Sequence, residues 1–210
     1  MIDTVLKYIH PAIDDNNHRF KSWEHCYKAF LENNNHDNLA LNLAFYLASW
    51  GMYRGSSGLL WKDYKIHIPA IEIIKNFNDL KSVNWNKPEI EKILALKEQL
   101  IKYYGSIDFN NGKEQGLKKI NATVTLISKV ILGTLGCIPA FDRYFNIGFK
   151  NNPNISINQS ILEELYFNID LKHKEIKKCQ AIIKQELNFD YPVMKIIDMY
   201  YWQIGFDKIN

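Results

Sequence analysis

The chain has 210 residues, 47% hydrophobic and 13% aromatic, so it can bury a real core and does not have the composition of a disordered segment. A net charge of only +3 means that any basic surface must come from arrangement rather than excess. No apolar run has the flanks of a signal peptide or the length of a membrane span, and Cys26, Cys137 and Cys179 form no CxxC spacing. A soluble, cytoplasmic protein with three reduced thiols is expected, without a disulfide framework, metal site or cofactor.

Taken in order, His10, Asp14, Asp15 and His18 are loosely spaced around Pro11 and read as a solvated helix end rather than a metal site. Phe20, Trp23, Tyr27, Phe30 and Leu31 recur at three and four, the period of an amphipathic helix. Leu39 to Trp50 is apolar nearly all round and predicts a buried helix. "YKIHIPAIEII" reads as a short extended piece ending before Pro69. Ile90, Ile93, Leu94, Ile101 and Tyr104 form the next helical stripe, with Pro88 at its start and Gly105 as its C-cap. Val124, Ile127, Ile131 and Leu135 make another stripe, and Thr125, Ser128 and Lys129 lie on its polar side.

Ser160 to Glu163 has the form of a capping box opening a long helix through Leu165, Ile169, Ile176, Cys179 and Ile183. A last amphipathic helix covers 192–206. Asn- and Gly-rich breaks at 33–38, 76–86, 107–116 and 150–156 separate these segments. The fold class is all-α: a single domain over 1–210, or two helical lobes with a site between them.

Two stretches carry chemistry. "LASWGMYRGSSGLLWKDYKIH" places Trp50, Tyr53, Arg54, Ser56 and Ser57 around glycines that let backbone approach a ligand. A helix starting at Ser56 or Ser57 would offer free N–H groups to an anion, and Trp50, Tyr53, Trp61 and Tyr64 offer faces on which a base can stack. The same residues also fit an ordinary serine-capped corner. Lysine is common but arginine occurs only at Arg19, Arg54 and Arg143, and two of these three lie in the unusual stretches. A planar, bidentate donor is the property lysine lacks.

The second stretch, "GTLGCIPAFDRYF", isolates Asp142 and Arg143 among apolar residues. An ionised carboxylate in such a setting must be paired, hydrogen-bonded or used. Asp142 is either the N-cap of a helix over 143–149, paired with Arg143, or an acid that stabilises an oxocarbenium-like sugar. No P-loop, HExxH or nucleophile elbow competes with it.

"NATVTLISKVILGTLGCIPAFDRYF" resembles the helix-hairpin-helix DNA glycosylase superfamily, with a hairpin candidate at Lys119 to Thr123, a helix from Val124 and a loop ending at Asp142. The resemblance implies a helical glycosylase fold and makes Asp142 the catalytic acid. Trp50, Tyr53, Arg54, Ser56 and Ser57 would then form the base pocket, while Lys62, Lys129 and Arg143 hold DNA phosphates. The family's Leu-Pro-Gly-x-Gly hairpin is replaced by Lys-Ile-Asn-Ala-Thr, and its hairpin lysine has no counterpart, which implies a monofunctional enzyme. The two stretches together also resemble small bacterial proteins of phage defence, among them glycosylases acting on hypermodified, for example glucosylated, cytosine. The implied partner is double-stranded, modified phage DNA, with no membrane and no obligate protein partner. The alternatives are a non-catalytic helical DNA- or protein-binding module of a defence or mobile-element system and a ribonuclease-type abortive-infection toxin. The toxin lacks an Arg-x-x-x-x-His pair.

Overall fold

The computed structural model describes residues 1–32, 35–54, 57–81, 89–112 and 116–210. It is predominantly helical: α1 (Ile2–Asp14), α2 (Lys21–Leu31), α3 (His36–Ser49), α4 (Ile68–Lys75), α5 (Ile90–Ser106), α6 (Val124–Thr134), α7 (Arg143–Lys150), α8 (Gln159–Leu187) and α9 (Val193–Ile209). A two-residue antiparallel ladder joins β1 (Asp108–Phe109) to β2 (Lys118–Lys119). Among the described residues no helix is long and apolar enough to cross a membrane.

Local chemistry sets the boundaries. Asn35 caps α3, Thr123 caps α6, Asp142 caps α7 and Asn158 caps α8, each side-chain oxygen accepting from a first-turn N–H. α3 stops where Gly51 turns to φ 72°, bringing the Met52 N–H onto the Leu47 carbonyl. One contiguous core runs through every helix, from Trp23, Tyr27, Leu43 and Leu47 to Leu126, Val130, Phe141, Phe145, Ile196 and Ile197.

Several expectations change. "YKIHIPAIEII" is not extended: a 3₁₀ turn over Tyr64–His67 runs into α4, because Pro69 fits a helix's first turn. Gly105 lies inside α5, which continues to Ser106, and Pro88 lies outside the described residues. Asn158, not Ser160, caps α8, and Gln159 rather than Ser160 bonds Glu163. α3 is not buried all round, since Leu41 and Phe45 are each 52% exposed. Residues 119–123 form no hairpin of their own. They complete β2 and lead into the Thr123 cap, with Ile120 N–H bonding back to the Ile107 carbonyl.

The polar side of α6 does not face solvent. Ser128 and Lys129 are buried and Thr125 is half-buried. Their surroundings include α9, and α9 in turn is set by its contact with α7. That contact is backbone on backbone: a Cβ on Gly148 would lie 1.9 Å from the Tyr201 carbonyl oxygen, and one on Gly205 1.8 Å from that of Tyr144. Only hydrogen at both positions lets the helices close to this distance. The crossing fixes the N-terminus of α7, and with it Asp142.

Candidate functional site

The loop before Asp142 leaves α6 at Leu135 and Gly136 and carries no secondary structure over residues 139–142, so its backbone groups need partners from elsewhere. α6 and α9 supply them. Asp198 Oδ1 accepts the Ala140 N–H at 2.9 Å, and Ser128 Oγ accepts that of Phe141 at 2.9 Å. Thr125 Oγ1 donates to the Phe141 carbonyl at 3.0 Å, and the Asp142 N–H bonds the Ala140 carbonyl at 2.8 Å. The polar stripe of α6 is therefore a clamp on this loop.

The carboxylate itself is divided between two tasks. Oδ1 accepts the N–H groups of Tyr144 and Phe145, both at 3.1 Å, as a helix cap. Oδ2 accepts the Lys129 ammonium at 3.0 Å, with side chains 14% and 4% exposed. Asp142 is therefore the cap of α7, with its second oxygen turned to Lys129. Its ion-pair partner is Lys129, not Arg143.

A cleft of about 350 Å³ opens over this pair. Its aromatic side is formed by Trp50, Tyr144 and Trp202, and its rim by Arg19, Arg54 and Arg143. All three arginines of the chain, separated by up to 124 positions between 19 and 143, meet there. Trp50 is stacked by Phe20, with ring centres 5.2 Å apart at 16°, and lines the cleft. Lys129 Nζ lies 4.9 Å from the Trp50 ring and the Arg19 guanidinium 5.2 Å.

Behind Trp50 lies a second buried pair, Lys195 Nζ to Asp198 Oδ2 at 2.8 Å, both side chains at most 5% exposed. A cavity of about 10 Å³, near the size of one water, is bounded by Tyr46, Lys129, Asp142, Lys195 and Asp198. Burial, and after it the Asp198 and Asp142 charges, hold the Tyr8 and Tyr46 hydroxyls well above the usual phenol range, so both stay protonated donors.

Of the residues singled out from sequence, Trp50, Arg54, Lys129, Asp142 and Arg143 line the cleft. The others do not. Tyr53 is turned away, its hydroxyl 2.8 Å from His67 Nε2, while His67 Nδ1 lies 2.7 Å from the Tyr104 hydroxyl. This chain buries His67 and pushes its pKa down to about 3, so it is a neutral core histidine. Ser57 begins no α-helix; its hydroxyl donates to the Met52 and Arg54 carbonyls and ties off the turn. It lines a neighbouring concavity of about 240 Å³ with Met52, Arg54, Asn121 and Thr125. Ser56 and Gly55 lie outside the described residues.

Lys62 ends a 3₁₀ turn away from the cleft lining. Lys129, expected to hold a DNA phosphate, sits on the cleft floor with its ammonium against Asp142. Arg19, Tyr144, Lys195, Asp198 and Trp202 were missed. For Lys195 and Asp198 a signal existed: two charges at i and i+3 inside the apolar run from Val193 to Met199. Among the described residues no three His, Cys, Asp or Glu side chains gather as a metal-binding group. Cys26, Cys137 and Cys179 are free and buried, and burial raises all three thiols away from reactivity. No protein-family model, curated protein or solved structure matches the chain.

Proposed function

We propose that this protein is a DNA N-glycosylase that takes a flipped, modified base of phage DNA and hydrolyses its glycosidic bond in antiphage defence. One observation carries the reading: a carboxylate held by two helix N–H groups and one ammonium turns an oxygen away from its cap, beneath an aromatic and cationic cleft of nucleotide size. As the C1′–N bond breaks, positive charge grows on the sugar, and a fixed carboxylate stabilises it without reorganising. Water then adds its oxygen to C1′ and gives up a proton, while the departing base is protonated. Asp142 orients that water, for which the small cavity beside it offers room. Lys129 and the α7 N-terminus hold the carboxylate and aim it. Trp50 supplies a stacking face that offsets part of the cost of flipping, a few kcal/mol.

The test is incubation with unmodified and phage-modified DNA followed by alkali. Alkali-labile sites that arise only after incubation support the glycosylase, whereas tight binding without breaks supports a binding module and cleavage confined to RNA supports a toxin. A second reading rests on the Lys129 position, 3.0 Å from the acid: the amine, having given a proton to Asp142, would displace the base at C1′ and, as the C1′–O4′ bond opens and the ring oxygen takes a proton, form an imine. That enzyme would nick the strand by β-elimination, and borohydride would trap it on DNA.

A further inference from the structure

We infer that the cleft rim is a phosphate site built by Arg19, Arg54 and Arg143, so that the ligand recognised is a nucleotide rather than a base or nucleoside. The inference rests on the reading of the cleft as a nucleotide pocket and adds what grips the nucleotide. Several surface lysines are paired with acids, among them Lys7 with Asp207 at 2.9 Å, Lys92 with Asp79 at 2.7 Å and Lys150 with Glu164 at 2.6 Å. Among the described residues no carboxylate pairs with any of the three arginines. Arg19 gives one weak bond, 3.5 Å to the Ser49 carbonyl, and its guanidinium carbon lies 5.2 Å from the Trp50 ring centre and 5.6 Å from that of Phe20.

Each guanidinium carries five donors in a planar fork that matches phosphate oxygens. Three exposed, unneutralised forks around one cleft repel one another, and an anion between them relieves that repulsion. The one acid on the cleft floor is already held by Lys129. Residues 119–123 supply no hairpin of backbone N–H groups, so side chains are what remains to hold phosphate. Arg54 also borders both the main cleft and the adjoining concavity of about 240 Å³, where a phosphate joining two nucleotides would sit.

The experiment follows tryptophan fluorescence, since Trp50 and Trp202 line the cleft. Wild type is titrated with a deoxynucleoside, its 5′-monophosphate and a short single-stranded oligonucleotide, over a salt series. We expect the phosphate-bearing ligands to bind at least tenfold more tightly than the nucleoside. Arg19→Gln, Arg54→Gln and Arg54→Lys should each erode that preference without lowering the melting temperature. A preference shown only by the oligonucleotide identifies a phosphodiester as the natural anion; one shown by the monophosphate identifies a terminal phosphate. Equal binding of nucleoside and both phosphate ligands, or a preference that survives all three variants, overturns the inference. Base release is scored separately with alkali, so a phosphate site without base release leaves this inference standing and removes the glycosylase.

Discussion

Asp142→Asn separates the two tasks of the carboxylate. Asparagine caps a helix as well as aspartate, so the bonds to the Tyr144 and Phe145 N–H groups should survive. The other arm then turns an amide toward Lys129, whose side chain is only 4% exposed. Stripping one partner from a buried ion pair costs about 3–5 kcal/mol. The Trp50 ring, 4.9 Å from the ammonium, is against it before and after the substitution and does not offset this cost. A loss of about 3–5 kcal/mol follows, a fall of about 6–20 °C in melting temperature for a chain of this size. If the protein is the proposed glycosylase, base release should drop at least about a hundredfold, because the charge that would meet the oxocarbenium ion is gone. Lys129→Met and the double variant complete a thermodynamic cycle read by thermal melting, with an expected coupling of about 2 kcal/mol. Additive losses in the cycle would refute the ion pair as an energetic unit. Unchanged abasic-site formation by folded Asp142→Asn would remove Asp142 from catalysis.

Gly205→Ala should destabilise by more than about 3 kcal/mol, since its methyl meets the Tyr144 carbonyl of α7 and neither backbone can yield; a melting temperature within 2–3 °C of wild type would show the crossing to be looser. His67 is neutral in the fold with a pKa near 3 against 6.5 unfolded, so its contribution is complete above pH 6.5 and is lost as pH falls toward 3. In His67→Gln the loss of stability between pH 7 and 5 should be smaller than in wild type by about 2 kcal/mol by urea unfolding, and parallel curves would contradict the assignment. In the monofunctional reading borohydride captures no adduct with DNA; an adduct formed by wild type and lost in Lys129→Ala would make Lys129 the nucleophile.

The amino-acid sequence by itself marks most of the helices, though not every end, since α5 runs past Gly105 and Asn158 rather than Ser160 caps α8. Apolar residues at three and four mark α2, α5, α6 and α8, and Thr123, Asp142 and Asn158 act as caps through bonds to N–H groups two or three residues away, all within local reach. It also isolates Asp142 and Arg54, because a charge or a glycine-rich turn beside an apolar run is visible without knowing the fold. Tertiary structure decides what those residues face. The stripe of Thr125, Ser128 and Lys129 reads as a solvated side until α9 and the Asp142 loop close over it and turn each polar atom to a backbone group or carboxylate. Tyr53 reads as a stacking face until a buried histidine, fourteen residues on, claims its hydroxyl. Arg19 and Asp198 carry no local mark of the site, since Arg19 stands 123 positions before Asp142 and Asp198 56 after it. The Gly148–Gly205 crossing brings α7 against α9 only where two helix backbones can touch, and such proximity across the chain is not encoded in any short window.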